Sequence, residues 1–147
     1  MRDVEAPEVP ERGEMRAVPA GAKSRGTILT VDDDPAVRAL VERILIRAGY
    51  RVLTAEGGAT CLAAVERNGV DLVLLDLEMP DANGISLLET IHALKKDLPV
   101  VIVTGYGDPD TARQAMELGA YDYVAKPVMT NVILEVVREA LSTRCDG

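Results

Sequence analysis

Phenylalanine and tryptophan are absent from this chain of 147 residues, and four tyrosines are its only aromatics. Its core must therefore be aliphatic, which suits a parallel sheet buried on both faces. The same shortage leaves little for the aromatic stacking platforms that bind single-stranded nucleic acid. Positive charge is also the minority: 16 Lys and Arg against 24 Asp and Glu give a net charge of −8. Binding duplex DNA or RNA needs a cationic stripe, so this balance argues against direct nucleic-acid binding. Histidine occurs once, as His92, and Cys61 and Cys145 have no CxxC spacing. A zinc site is not expected, both cysteines read as bystanders, and a reducing cytosol is the simpler compartment. No run approaches the roughly 18 apolar residues of a membrane span. The N-terminus lacks the apolar segment of a signal peptide. The expectation is a cytoplasmic protein with no membrane association.

What is present divides into a tail and one domain. Residues 1 to 26 hold three Pro, three Gly and five charges of each sign without apolar periodicity, and are expected to form a disordered leader. Removing that neutral tail leaves 19 acidic and 11 basic residues, so the whole charge of −8 belongs to residues 27 to 147. That length suits a single core, and no linker or output domain is expected within it.

From residue 27 onward short β-branched runs alternate with longer amphipathic ones, the pattern of βαβ units. Five strands are expected, at Thr27 to Val31, Arg51 to Thr54, Leu72 to Leu75, Val100 to Val103 and Tyr123 to Ala125. A helix follows each. In the first, Val37, Leu40, Val41, Ile44, Leu45 and Ala48 form the inward stripe, with Asp34 as N-cap, Pro35 at the first position and Gly49 as the stop. The second covers about Ala59 to Asn68. The third, Ile85 to Lys95, turns Leu87, Leu88, Ile91 and Leu94 inward and leaves His92 beside the stripe as a surface residue. The fourth, near Pro109 to Leu118, has only Ala112, Ala115 and Met116 to bury and is the candidate mobile element. The fifth, about Asn131 to Ser142, has an apolar stripe wider than one core face needs. It is either a deeply buried terminal helix or a partner or homodimer surface beside the fourth helix.

The chemistry sits at strand ends. Asp32-Asp33-Asp34 directly follow the first strand and Asp76 follows the third, at the carboxyl edge where open α/β sheets form their ligand crevice. Carboxylates converging there repel one another, and a hard divalent cation with oxygen ligands, Mg²⁺, removes the conflict. Thr104 and Lys126, at the ends of the fourth and fifth strands, would add a hydroxyl and an ammonium suited to a phosphoryl group. Gly105 leaves room for a phosphoryl oxygen to approach the backbone.

These segments, Ile28 to Pro35, Asp71 to Pro80, Val101 to Gly105 and Tyr123 to Pro127, resemble the response-regulator receiver domain of two-component signalling, over about residues 27 to 143. The resemblance implies a flavodoxin-like (βα)5 three-layer sandwich whose five-stranded parallel sheet has the order 2-1-3-4-5. It also implies roles. Asp76 is the expected phosphoacceptor, and Asp32, Asp33, Asp76 and the backbone carbonyl of Glu78 hold Mg²⁺. Lys126 contacts the phosphoryl group, Thr104 moves toward it, and Tyr123 changes rotamer with it. Glu78 and Tyr106 stand at the two positions that tune dephosphorylation in the family.

The implied function is a signalling switch and not a turnover enzyme. A histidine kinase or histidine phosphotransfer protein supplies the phosphoryl group in phosphorelay signal transduction, and the face formed by the fourth helix, fifth strand and fifth helix presents itself to a downstream protein or a second copy. Two alternatives compete. A receiver can serve as a phosphorylation-independent docking scaffold, or the residue set can belong to a haloacid-dehalogenase-like phosphatase, although that family carries its nucleophile on the first strand and its acid pair last. Two departures from the receiver pattern are visible. Asn83-Gly84 replaces a frequent Asp-Gly, and Val128 stands after Lys126-Pro127 where an aromatic is frequent; the first leaves the chemistry intact, and the second bears on packing at the fifth helix.

Overall fold

The three central runs decide the architecture, because they are buried on both faces along their whole length. In the computed structural model, which describes residues 15–16, 25–67, 69–79, 82–105 and 109–145, five parallel strands form the sheet. They are β1 (Thr27–Val31), β2 (Arg51–Ala55), β3 (Leu72–Leu75), β4 (Val100–Thr104) and β5 (Asp122–Ala125). Their spatial order is 2-1-3-4-5, as the resemblance implied. A sixth, two-residue strand, Met15–Arg16, pairs antiparallel with the outer edge of β2, so the sheet has one strand more than the five expected. The expected leader, residues 1 to 26, otherwise lies outside the described residues except for Arg25 and Gly26.

Successive residues of a strand point to opposite faces, and here both faces carry helices. Leu29, Val31, Val73, Leu75, Val100 and Ile102 face a core completed by α2 (Gly58–Arg67), α3 (Gly84–Leu94) and α4 (Pro109–Glu117). Ile28, Val52, Leu72, Leu74, Val101 and Val103 face a second core completed by α1 (Pro35–Arg47) and α5 (Thr130–Cys145). This is the three-layer sandwich. Most of these strand side chains are fully buried, and each such aliphatic contributes roughly 1.5–3 kcal/mol relative to exposure.

The helices start and stop where their caps require. Asp34 caps α1 by accepting from the Ala36 amide at 2.9 Å, and Pro35 takes the first turn, where its missing N–H costs nothing. Gly49 ends that helix with a φ of +99°, in the left-handed region that favours glycine. Three residues expected to face inward are instead exposed: Leu40, Leu94 and Met116. In each case the helix is satisfied by a narrower stripe. Val41, Ile44 and Leu45 suffice in α1, and Leu87, Leu88 and Ile91 in α3. In α4 only Ala115 is buried, and Leu118 just beyond the helix packs on the core in place of Met116. The weak anchoring expected of this helix is thus visible as a single buried alanine. His92 is half-buried and not a free surface residue: its Nδ1 lies 3.1 Å from the Leu118 carbonyl, joining α3 to the end of α4. In α5, Ile133, Val137, Ala140 and Leu141 are buried while Val132 is exposed. No helix among the described residues is long and apolar enough to cross a membrane.

Candidate functional site

Register brings the strand-end residues together. Val31 pairs with Leu75, so Asp32 and Asp76 leave adjacent strands at the same level. The two ends are stitched by backbone bonds: the Asp76 amide donates to the Val31 carbonyl at 3.0 Å, and the Asp32 amide to the Ala55 carbonyl at 3.1 Å. On the other side Thr104 pairs with Ala125, and the Lys126 amide donates to the Thr104 carbonyl at 2.8 Å. Each of these residues is fixed by its neighbour strand before its side chain does anything.

The side chains then meet. Carboxylate oxygens of Asp32, Asp33 and Asp76 lie within 4.8 Å of one another. Asp32 and Asp76 are almost fully buried, at 3% and 2% exposure, whereas Asp33 faces solvent. The Lys126 ammonium reaches between them, 2.9 Å from Asp32 Oδ2 and 3.4 Å from Asp76 Oδ2. The other oxygen of each buried acid accepts a backbone bond: Asp32 Oδ1 from the Asp34 amide at 2.9 Å, and Asp76 Oδ1 from the Glu78 amide at 3.0 Å.

Burial raises the Asp76 carboxyl above its ordinary range; the Glu78 amide pulls it back, the Asp32 charge pushes it up again, and Lys126 opposes that. Burial alone would lower the Lys126 ammonium, but its hydrogen bond and attraction to Asp32, joined by Asp76, prevail and hold it above its ordinary range. Among the described residues the three carboxylates therefore outnumber the one ammonium that pairs with them. Three oxygen donors with one acid open to solvent fit a hard divalent cation of the Mg²⁺ type, which keeps water on its remaining positions.

Thr104 is buried at the end of β4. Gly105 beside it has the Glu78 carboxylate and the Lys126 stem as neighbours, with an added β-carbon falling 3.6 Å from Glu78 Oε1 and 3.7 Å from Lys126 Cδ. Tyr123 stands on the edge strand β5 and is 45% exposed. Tyr106 lies outside the described residues, as does Pro80. Asp34 is the helix cap that the sequence suggests, and Asn83 fills the same role for α3, accepting from the Ile85 and Ser86 amides at 2.9 and 3.2 Å. Val128 packs against the α1 and α5 core. Cys61 takes no part: burial pushes its thiol up to about 12, so no thiolate nucleophile is available at neutral pH.

One contact was not foreseen. Arg38 Nη1 donates to the backbone carbonyl of Asp32 at 2.7 Å. The available signal was its spacing, one helical turn past the Asp34 cap, which returns the side chain over the acidic loop.

With a parallel (βα)5 sandwich and an acid pocket at its carboxyl edge, the class is defined. A family model, the response regulator receiver domain, matches residues 28–138, and the chain belongs to that family. It is 38% identical over 117 residues to the C4-dicarboxylate transport transcriptional regulatory protein DctD of Pseudomonas aeruginosa. It is 38% identical over 118 residues to the DNA-binding transcriptional regulator NtrC of Escherichia coli. Each match covers 80% of this chain but 25% of the relative, so the chain spans about a quarter of the length of these curated relatives. Among solved structures, the CheY-like receiver domain protein of Methanospirillum hungatei superposes with a TM-score of 0.80 at 34% identity, covering 84% of this chain and 98% of that one. The receiver domain of NtrX from Brucella abortus gives 0.76 at 36% identity, covering 79% and 98%. The chain is a receiver domain of the two-component kind, and the scaffold and phosphatase alternatives are not favoured.

Proposed function

We propose that this domain accepts a phosphoryl group on Asp76 from the phosphohistidine of a histidine kinase or histidine phosphotransfer protein, and that the modified domain binds its downstream partner through the α4-β5-α5 face. The observation that carries the reading is the convergence of three carboxylates at the sheet edge, two of them, Asp32 and Asp76, paired with the Lys126 ammonium. Asp32, Asp33, Asp76 and the Glu78 carbonyl would hold Mg²⁺, which when bound offsets the charge of the phosphoryl oxygens.

In the transfer itself an Asp76 oxygen attacks phosphorus, the P–O bond forms as the P–N bond of the phosphohistidine breaks, and the imidazole leaves with its electron pair. The Glu78 amide holds Asp76 Oδ1 and so leaves Oδ2 as the attacking atom. Lys126, already beside that oxygen, exchanges its ion pair with Asp76 for one with the phosphoryl group. Thr104 donates its hydroxyl to a phosphoryl oxygen, drawing the end of β4 inward, and Tyr123 repacks beside it. A helix anchored by one buried alanine, α4, is the element such a shift moves most easily. The chain contributes positioning and charge and resets by self-catalysed hydrolysis, so it acts as a switch with no other turnover, in the cytoplasm. The acidic domain is not expected to contact DNA itself, although one relative's name records DNA binding for a protein about four times as long.

The test is incubation with Mg²⁺ and acetyl phosphate or beryllofluoride, followed by amide NMR and a phosphate-affinity gel, with Asp76→Ala as control. An Asp76-dependent gel shift with amide changes spreading to α4 and β5 is expected. Absence of any Asp76-dependent change sinks the reading.

A further inference from the structure

We infer that Arg38 is a positioning residue for the metal-binding acid pair, acting through the peptide between Asp32 and Asp33; the inference rests on the function proposed above. The remaining polar atoms of Asp32 are occupied by other groups. Its amide is spent on Ala55, Oδ1 on the Asp34 amide and Oδ2 on Lys126. Its carbonyl takes the Arg38 guanidinium at 2.7 Å, the shortest of these contacts. That carbonyl and the Asp33 N–H belong to one planar unit, so holding the oxygen fixes the direction in which Asp33 begins.

Asp33 needs such a restraint. It is exposed, and its carboxylate has no partner among the described residues, yet it must supply an oxygen within 4.8 Å of those of Asp32 and Asp76. Arg38 is itself anchored, its amide donating to the Asp34 carbonyl at 3.0 Å in the opening turn of α1. Helix energetics do not account for an arginine there, because a cation near a helix N-terminus opposes the macrodipole. The acidic loop does account for it: a fixed guanidinium offsets part of the repulsion among three carboxylates and grips the backbone that aims them. Partners of this kind, which do not touch the ion but orient groups that do, are worth about 10–100-fold in metal affinity.

The experiment uses the full chain and Mg²⁺ alone as ligand, titrated while the amide NMR signals of Asp33 and Asp76 are followed. Arg38→Met, which keeps the apolar stem, is expected to weaken Mg²⁺ binding by about tenfold with the metal-free spectrum otherwise preserved. Arg38→Lys, which restores charge and one donor, recovers part of that loss. In acetyl phosphate labelling the half-saturating Mg²⁺ concentration rises for Arg38→Met while the rate at saturating Mg²⁺ stays near wild type. Equal Mg²⁺ affinity in wild type and Arg38→Met overturns this inference alone, as does a fall in saturated rate at unchanged affinity. A wild-type chain that shows no Mg²⁺ response at Asp33 and Asp76 overturns it together with the proposed metal site.

Discussion

The Lys126 ammonium lies 2.9 Å from Oδ2 of Asp32, tying the end of β5 to the end of β1 across the two strands between them. At 19% side-chain exposure this cation is the local counterweight to two buried carboxylates. Lys126→Met keeps the stem and removes the charge. It is expected to lower stability at neutral pH by about 1–3 kcal/mol, less than for a fully buried pair because solvent reaches the ammonium. The sign of the pH dependence follows from the raised Lys126 ammonium: its contribution is complete below the ordinary value of 10.5 and is lost as pH rises through the higher folded value. Urea unfolding across the alkaline range checks this, since the gap between wild type and Lys126→Met should close only above 10.5.

Asp76 has the opposite sign. Burial raises its carboxyl, so the folded state holds the ionised form at a cost, fully present at neutral pH and fading as pH falls through the raised value toward the ordinary 3.8. Asp76→Asn should abolish phosphoryl incorporation and also stabilise the domain at neutral pH, by on the order of 1 kcal/mol. The two proteins should converge in acid. Thermal melts at several pH values decide it, and an Asn variant less stable than wild type at neutral pH would remove the buried-charge argument.

Much of this arrangement was legible because the central strands are aliphatic on both faces and the strands end on residues that no sheet interior would keep. Asp32, Asp76, Thr104 and Lys126 could be placed by their position after a strand, and Asp34 by the proline behind it. The sheet order required the family resemblance, since periodicity does not say which strands are neighbours. What stayed hidden depends on side-chain reach across sequence-distant elements. The Arg38 contact, the bridge from His92 to the end of α4 and the outward turn of Leu40 and Met116 depend on packing and long side chains. The two-residue pairing of Met15–Arg16 on β2 was illegible for another reason: so short a strand has no periodicity to read.

Asn83 tests whether the departure from Asp-Gly matters. Its side chain accepts two α3 amides, work that an aspartate performs equally well. Asn83→Asp should leave stability within a few tenths of a kcal/mol, whereas Asn83→Ala should cost about 1 kcal/mol. Acetyl phosphate labelling should continue in both. Chemical denaturation of the pair measures the cap, and a large loss in Asn83→Asp would show that the neutral amide has a further role.

Thr104 is buried at the end of β4 with its carbonyl engaged by the Lys126 amide, so the backbone does not need the hydroxyl. Thr104→Ala should fold, bind Mg²⁺ and take up the phosphoryl group, while the amide shifts that reach α4 and β5 in the labelled wild type shrink. Paired NMR spectra with and without beryllofluoride separate uptake from its readout. Full propagation to α4 in Thr104→Ala would remove the hydroxyl from the switch.

Gly84 joins stability to chemistry. A β-carbon there would stand 2.5 Å from Leu77 Cα and 2.9 Å from its carbonyl oxygen, and backbone cannot swing aside as a side-chain tip can. Leu77 sits between Asp76 and Glu78, whose amide holds Asp76 Oδ1, so any shift that admits the methyl group disturbs that bond. Gly84→Ala should therefore cost about 1–3 kcal/mol and also slow labelling of the molecules that remain folded. Gly69→Ala is the control. Nothing lies within 4 Å of its added β-carbon, but its φ of +79° strains any L side chain, so it loses stability away from the pocket. Labelling rates measured where both variants are fully folded should fall for Gly84→Ala and stay at the wild-type value for Gly69→Ala. Equal rates in the two would mean that the Leu77 peptide yields without moving the Glu78 amide.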